Sequence, residues 1–186
     1  MRLFLIRHPR PKIEAGVCYG RSDIDLDGEP DAAAKVANRL RPYLPATAPV
    51  YSSPLRRCRQ LSQQLHAAPI LDDRLMEMHF GEWELKPWAT IAREKVDEWA
   101  ADPLGFVPPG GESAEQLQAR AVEFCTALQL GDVMEAVLVT HAGIIKALCG
   151  HCERLAAEDW IRLDFKFGSI TLIEHNQRVW QNVGHD

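Results

Sequence analysis

Nowhere does this chain hold an apolar run near the roughly 18 residues that a membrane-crossing helix needs, so no segment is a candidate span. It also lacks an excess of positive charge. The formal net charge is −5, which gives no basis for nucleic acid as the main partner. Cysteines are few, five in all, an odd number without the spacing of a disulfide framework, so reduced thiols are expected. No second ligand pair stands at zinc-site spacing, so no metal is expected. Internal repeats and low-complexity tracts are missing. The start has no signal-peptide layout, and a cytoplasmic location is the expectation. What remains is ordinary: 186 residues, 46% apolar and 25% charged, enough for a single domain over 1–186 with a full core.

Against that background one stretch stands out, Leu3-Phe4-Leu5-Ile6-Arg7-His8-Pro9-Arg10-Pro11. Four apolar residues run into a cation and an imidazole, and two prolines then forbid continuation. A short apolar run between breakers reads as a strand buried on both faces, as at the centre of an α/β sheet. Its polar residues then lie just past the carboxyl end, where open α/β sheets bind ligands. Pro9 biases His8 towards extended backbone and so narrows its directions. Ala136 to Thr140 repeats the pattern and ends at His141, with Gly143 opening a helix through Leu148 and Gly150 as its C′ residue.

Between these, Pro11 to Pro30 reads as a long loop rich in Gly, Asp and Pro, and Pro30 to Leu44 as an amphipathic helix. Val50 to Ser52 reads as a strand. Ser53-Pro54 then opens a helix whose buried face is Leu55, Cys58, Leu61 and Leu65, which puts Arg56 or Arg57 near its first turn. Ile70-Leu71 is a minor edge strand, Leu75 to Trp83 a loop, and Pro87 to Trp99 a helix. Asp102 to Gly111 is a Pro/Gly-rich breaker. Ser113 to Gln129 is a helix with a Ser113/Gln116 capping box. Ala156 to Trp160 is a short helix, and Ser169 to Glu174 with Arg178 to Val183 a hairpin around Asn176-Gln177.

Two strands ending in histidines, and a third followed by arginines, converge at one edge of a parallel sheet. Such cations repel one another unless the site holds an anion, and a phosphoryl group suits arginine forks and a helix N-terminus. The pieces LIRH, YSSPLRRCRQ, LMEMHFGEWE and VLVTHAGIIKAL, in this order, resemble the histidine phosphatase (phosphoglycerate mutase-like) superfamily. The resemblance implies a three-layer α/β/α sandwich with a mostly parallel central sheet flanked by helices. It also implies a phosphomonoesterase that needs no cofactor and acts on a small-molecule phosphate ester. Carried over, it makes His8 the nucleophile, Arg7 and Arg57 the phosphate clamps with His141, and Glu77 rather than Glu82 the general acid and base. GVCYGRSDIDL and PPGGES further resemble the α-ribazole phosphatase branch, which acts late in cobalamin nucleotide-loop assembly.

Two departures bear on the phosphate ligands. The family opening Arg-His-Gly-Glu-Thr is here Arg7-His8-Pro9-Arg10-Pro11, and Glu14 replaces an asparagine six residues after the histidine. Arg10 and Arg21 are the candidates for the missing contact. Glu82 and Glu84 are expected on a solvated face, Arg56 on the surface, and His79 in packing. Trp83, Trp88, Trp99 and Trp160 are expected in the core, with Trp83 and Trp88 close enough to the mouth to stack on a base-like substrate as the alternative. Rival readings are a phosphoglycerate mutase, a binding module without turnover, and a thiol oxidoreductase built on Cys149-Gly150-His151-Cys152. That last motif sits at a helix C-terminus, where the dipole does not favour a thiolate. Oligomeric state is not legible in the residues.

Overall fold

The computed structural model describes residues 1–27, 31–174 and 177–179. Six strands form one sheet: β1 (Arg2–Arg7), β2 (Val50–Ser52), β3 (Ile70–Leu71), β4 (Glu135–Thr140), β5 (Ile170–Glu174) and β6 (Gln177–Val179). Their order is β3-β2-β4-β1-β5-β6. The first four are mutually parallel; β5 pairs antiparallel with β1, and β6 pairs antiparallel with β5 at the edge. Register places Arg7 opposite Thr140, so His8 and His141 leave adjacent central strands at the same edge.

The alternation of side chains along β1 divides the core. Leu3 and Leu5 face one cluster with Leu117, Phe124, Ile144 and Leu148. Phe4 and Ile6 face another with Ala37, Leu40, Cys58 and Leu61. The first cluster is covered by α4 (Ala114–Leu130), α5 (Ala142–Glu153) and α6 (Ala157–Ile161), and the second by α1 (Ala32–Leu40) and α2 (Arg56–Leu65). This is the expected three-layer sandwich. The capping box at Ser113 and Gln116 is present in both directions. Among the described residues no helix is long and apolar enough to cross a membrane.

Several boundaries differ from expectation for local reasons. The first helix stops at Leu40 and passes into a 3₁₀ turn, Arg41–Tyr43, with Pro42 inside it. Its expected start at Pro30 lies outside the described residues. Pro87 to Trp99 is not one helix: a 3₁₀ turn (Trp88–Thr90) and α3 (Arg93–Ala101) are separated by extended backbone at Ile91 and Ala92. The break folds Trp88 back so that its indole stacks on Trp99, 5.5 Å between centroids and 8° apart in plane, and aromatic burial outweighs helix continuity. α2 begins at Arg56 rather than Pro54.

Gly150 is not a C′ residue. α5 continues through it to Glu153 and closes at Arg154, which takes the left-handed conformation itself. Gly150 is there because Trp160 lies on it: a Cβ would come 2.5 Å from the indole Cγ. In the hairpin, Gln177 pairs with Glu174; the turn at Asn176 and the expected strand beyond Val179 lie outside the described residues. None of the five cysteines is in a disulfide. Cys149 is buried, which removes it from any exchange partner.

Candidate active site

β1 delivers Arg7 and His8 to the sheet edge, and the chain then turns at Pro9. His8 is only 2% exposed. Its Nδ1–H donates to the Pro9 carbonyl oxygen across 2.5 Å, and its Nε2 accepts from Arg57 Nε across 3.2 Å. These two contacts define one tautomer, with the Nε2 lone pair directed into the site. Burial, with the neighbouring Arg57 charge, holds the imidazole well below the usual histidine range, so the ring stays neutral. Pro9 lacks the backbone N–H that a glycine would offer, and what it contributes instead is the carbonyl that orients the ring.

Arg57 is fully buried on the first turn of α2. It donates to the carbonyls of Ser22 (2.8 Å) and Gly20 (2.6 Å) as well as to His8. Arg7 donates to the Phe165 carbonyl, and its guanidinium lies 3.8 Å over the Phe167 ring. Its Nε is buried without a partner among the described residues. No carboxylate there pairs with either arginine, an arrangement that an oxyanion completes. His141 caps α5 in extended backbone. Its ring packs edge-on to His8 with centroids 5.1 Å apart, and its Nε2 is 2.8 Å from Ser53 Oγ. Burial, then the charge of Arg57, keeps this imidazole neutral too. Ser53, expected with Pro54 to open a helix, therefore orients His141.

Glu77 lines the same mouth as Arg7. Its carboxylate accepts from Met78 N (3.0 Å) and from Gly143 N (3.2 Å) in the first turn of α5. Gly143 is required by this carboxylate: a Cβ there would meet Glu77 Oε1 at 2.1 Å. The backbone carbonyl of Glu77 is fixed from behind by Arg120 (3.0 Å) and Arg21 (3.4 Å), both paired with Glu112. A mouth of about 440 Å³ opens beside these groups, lined by Arg7, Tyr19, Glu77, Trp88, Trp99 and Lys146.

A model of the histidine phosphatase superfamily (branch 1) matches residues 3–185. The chain belongs to that superfamily. By this membership it is a phosphoric monoester hydrolase. It is 26% identical to the adenosylcobalamin/alpha-ribazole phosphatase of Salmonella typhimurium, covering 97% of this chain and 99% of the relative. It is 29% identical to the glucosyl-3-phosphoglycerate phosphatase of Mycolicibacterium vanbaalenii, over 86% of this chain and 77% of that one. Among solved structures, a phosphoglycerate mutase from Thermus thermophilus superposes with a TM-score of 0.79 at 32% identity, each chain fully covered.

Of the residues expected at this histidine phosphatase site, Arg7, His8, Arg57, Glu77 and His141 are brought together. Arg21 is held by Glu112 and braces the Glu77 backbone. Arg10 is exposed, with its guanidinium 5.3 Å from the Phe167 ring. Arg56 lies at the surface, paired with Asp23 and Asp25. His79 packs locally, its Nδ1 accepting from Gly81 N. Glu82 is exposed as expected, but Glu84 is not on a solvated face; it accepts hydrogen bonds from Arg21 N, Ser22 N, Ser22 Oγ and Phe80 N. Tyr19, Arg120 and Lys146 escaped the sequence reading. Lys146 follows His141 on α5 and donates from Nζ to the Ile161 carbonyl; burial holds its ammonium below the usual lysine range. Only its spacing from Gly143, one turn of helix, pointed to the site.

Proposed function

We propose that this phosphatase works through a phosphohistidine at His8, without a metal ion. Nε2 of His8 attacks phosphorus, the ester P–O bond breaks, and Glu77 gives its proton to the departing oxygen. Water then attacks the phosphohistidine, Glu77 takes a proton from it, and the P–N bond breaks to release phosphate and free His8. Arg7, Arg57 and His141 stabilise the charge on the transferring oxygens, the task a metal ion performs in other phosphoryl-transfer sites. The observation that carries this reading is the His8 tautomer, with Nδ1–H tied to the Pro9 carbonyl and the Nε2 lone pair facing Arg57 Nε–H.

The substrate assigned by this reading is α-ribazole 5′-phosphate, the ester of a base-bearing alcohol. Three features support it. Relatives named alpha-ribazole phosphatases cover nearly the whole chain. The stretches GVCYGRSDIDL and PPGGES build the site surroundings, through Tyr19, Gly20 and Ser22 and through Glu112. The mouth wall of Phe80, Trp88 and Trp99 offers flat aromatic faces to a ring. Lys146, a cation in the same mouth, favours a second reading in which the alcohol half is acidic, as in a phosphoglycerate. Catalytic efficiency on a panel of esters separates them: α-ribazole phosphate should rank first, and a higher rank for 3-phosphoglycerate overturns the first assignment. Hydrolysis of an aryl phosphate in EDTA, lost in His8→Ala, tests the chemistry; dependence on added Mg²⁺ or Zn²⁺ would refute it.

A further inference from the structure

Glu84 does not touch the reacting groups, yet it has more hydrogen-bond donors aimed at it than Glu77. Oε1 accepts from Arg21 N at 2.9 Å and Phe80 N at 3.1 Å. Oε2 accepts from Ser22 N at 2.5 Å and from the Ser22 hydroxyl. The carboxylate thereby closes the Gly20–Ser22 turn from a distance of more than sixty residues along the chain. Gly20 is packed so tightly into this closure that a Cβ would lie 1.9 Å from the Met78 carbonyl oxygen and 3.0 Å from Glu84 itself.

The same turn faces the other way onto Arg57. The carbonyls of Gly20 and Ser22 take the NH2 and NH1 groups of its guanidinium, at 2.6 and 2.8 Å, and so leave Nε directed at His8. A guanidinium is planar, so fixing two of its nitrogens fixes the third. We propose that Glu84 is a positioning residue of this enzyme, which sets the aim of Arg57 at His8 and at the phosphoryl group through the Gly20–Ser22 turn. Burial pushes the Glu84 carboxyl up, but hydrogen bonds from Ser22, Arg21 and Phe80 outweigh this and keep it below the usual glutamate range, so it acts as an anion. A glutamine is isosteric but puts an NH₂ group where an acceptor is needed, and this opposes a donor to a donor at the turn.

The inference rests on His8 as nucleophile, and two arms of its test, vanadate binding and the His8 titration, do not depend on turnover. Glu84→Gln should lower kcat and weaken orthovanadate binding by about ten- to hundredfold, the worth of one or two charge-assisted hydrogen bonds. Glu82→Gln, two residues away and exposed, serves as the control and should match the parent. In a cycle with Arg57→Lys, the double variant should be little worse than Arg57→Lys alone, because the two residues act as one unit. By NMR titration of His8, both Glu84→Gln and Arg57→Lys should raise its pKa, since the Arg57 charge is then less well seated. Glu84→Asp, which keeps the charge on a shorter arm, should fall between parent and Glu84→Gln. Losses that simply multiply in the cycle, or an unmoved His8 titration in Glu84→Gln, overturn the proposal. A parent enzyme that hydrolyses no phosphate ester refutes the functional reading instead and leaves the titration arm standing.

Discussion

The side chains of Arg57 and His8 meet inside the protein at 3.2 Å, with Arg57 Nε–H aimed at the His8 Nε2 lone pair. In the proposed mechanism, this cation donating to a neutral imidazole keeps the nucleophile unprotonated, and the incoming phosphoryl group takes over the contact.

Truncation of Arg57 should therefore cost more than binding. Arg57→Ala is expected to lower kcat/KM by about 10²- to 10³-fold, the usual worth of one preorganised charge-stabilising donor. Most of the loss should lie in kcat. Steady-state kinetics on an aryl phosphate checks this, and a change confined to KM would mean that Arg57 binds ground state and transition state alike.

For Glu77 the prediction depends on the leaving group. Glu77→Gln should reduce turnover of alkyl phosphates by about 10²- to 10⁴-fold, the range of general acid catalysis. Aryl phosphates, whose leaving oxygens need less help, should suffer least in the phosphorylation step. Equal losses on both classes, or none on alkyl esters, would remove Glu77 from that step.

Gly143→Ala tests the same group from the helix side. The added methyl would overlap Glu77 Oε1, so the carboxylate must turn away from the Gly143 N–H. Turnover should fall towards that of Glu77→Gln while thermal unfolding moves little, because the site is partly open and can relax. A parent-like kcat would show that the carboxylate does not need this seat.

The two buried imidazoles also link stability to pH. Both His8 and His141 are held neutral by burial, with folded pKa values below the unfolded one of about 6.5. The unfolded chain then binds more protons than the native one, so their contribution is complete above pH about 6.5 and is lost as pH falls below it. Denaturant midpoints measured downward from pH 7.5 should drop, and His141→Gln should flatten that drop. An unchanged slope would mean the ring is not the titrating group.

Much of the site was legible because its chemistry sits where apolar patterns stop. Leu3–Ile6 and Ala136–Thr140 can hardly be anything but central strands, so His8 and His141 had to emerge at one edge. Arg57 was ambiguous with Arg56 on helical phase alone, since both fall in the first turn of α2; the structure buries the first and pairs the second with Asp23 and Asp25. Glu84 and Arg120 were not legible. Their partners are Ser22 and the Glu77 backbone, tens of residues away, and no local period reports a hydrogen bond to a distant turn. Gly150 misled for a related reason: a glycine near a helix end usually marks its stop, but here an indole from α6 needed the space.

Substitution at Gly150 should therefore be a packing defect and nothing more. Gly150→Ala is expected to destabilise the protein by about 1–3 kcal/mol, the range for overfilling a packed core, with kcat unaffected in the folded fraction. Thermal denaturation together with active-site-normalised kinetics checks both halves. A rise in stability would mean the helix gains more from alanine than Trp160 loses.

The aromatic wall gives the enzyme a built-in optical reporter. Trp83, Trp88 and Trp99 contact one another, and the latter two border the mouth itself. On the proposed reading, a ring docking against Trp88 or Trp99 from the mouth alters their emission directly, whereas inorganic phosphate beside His8 leaves them in place. Fluorescence titration can thus separate occupation of the alcohol half of the site from occupation of the phosphate half, without label or turnover.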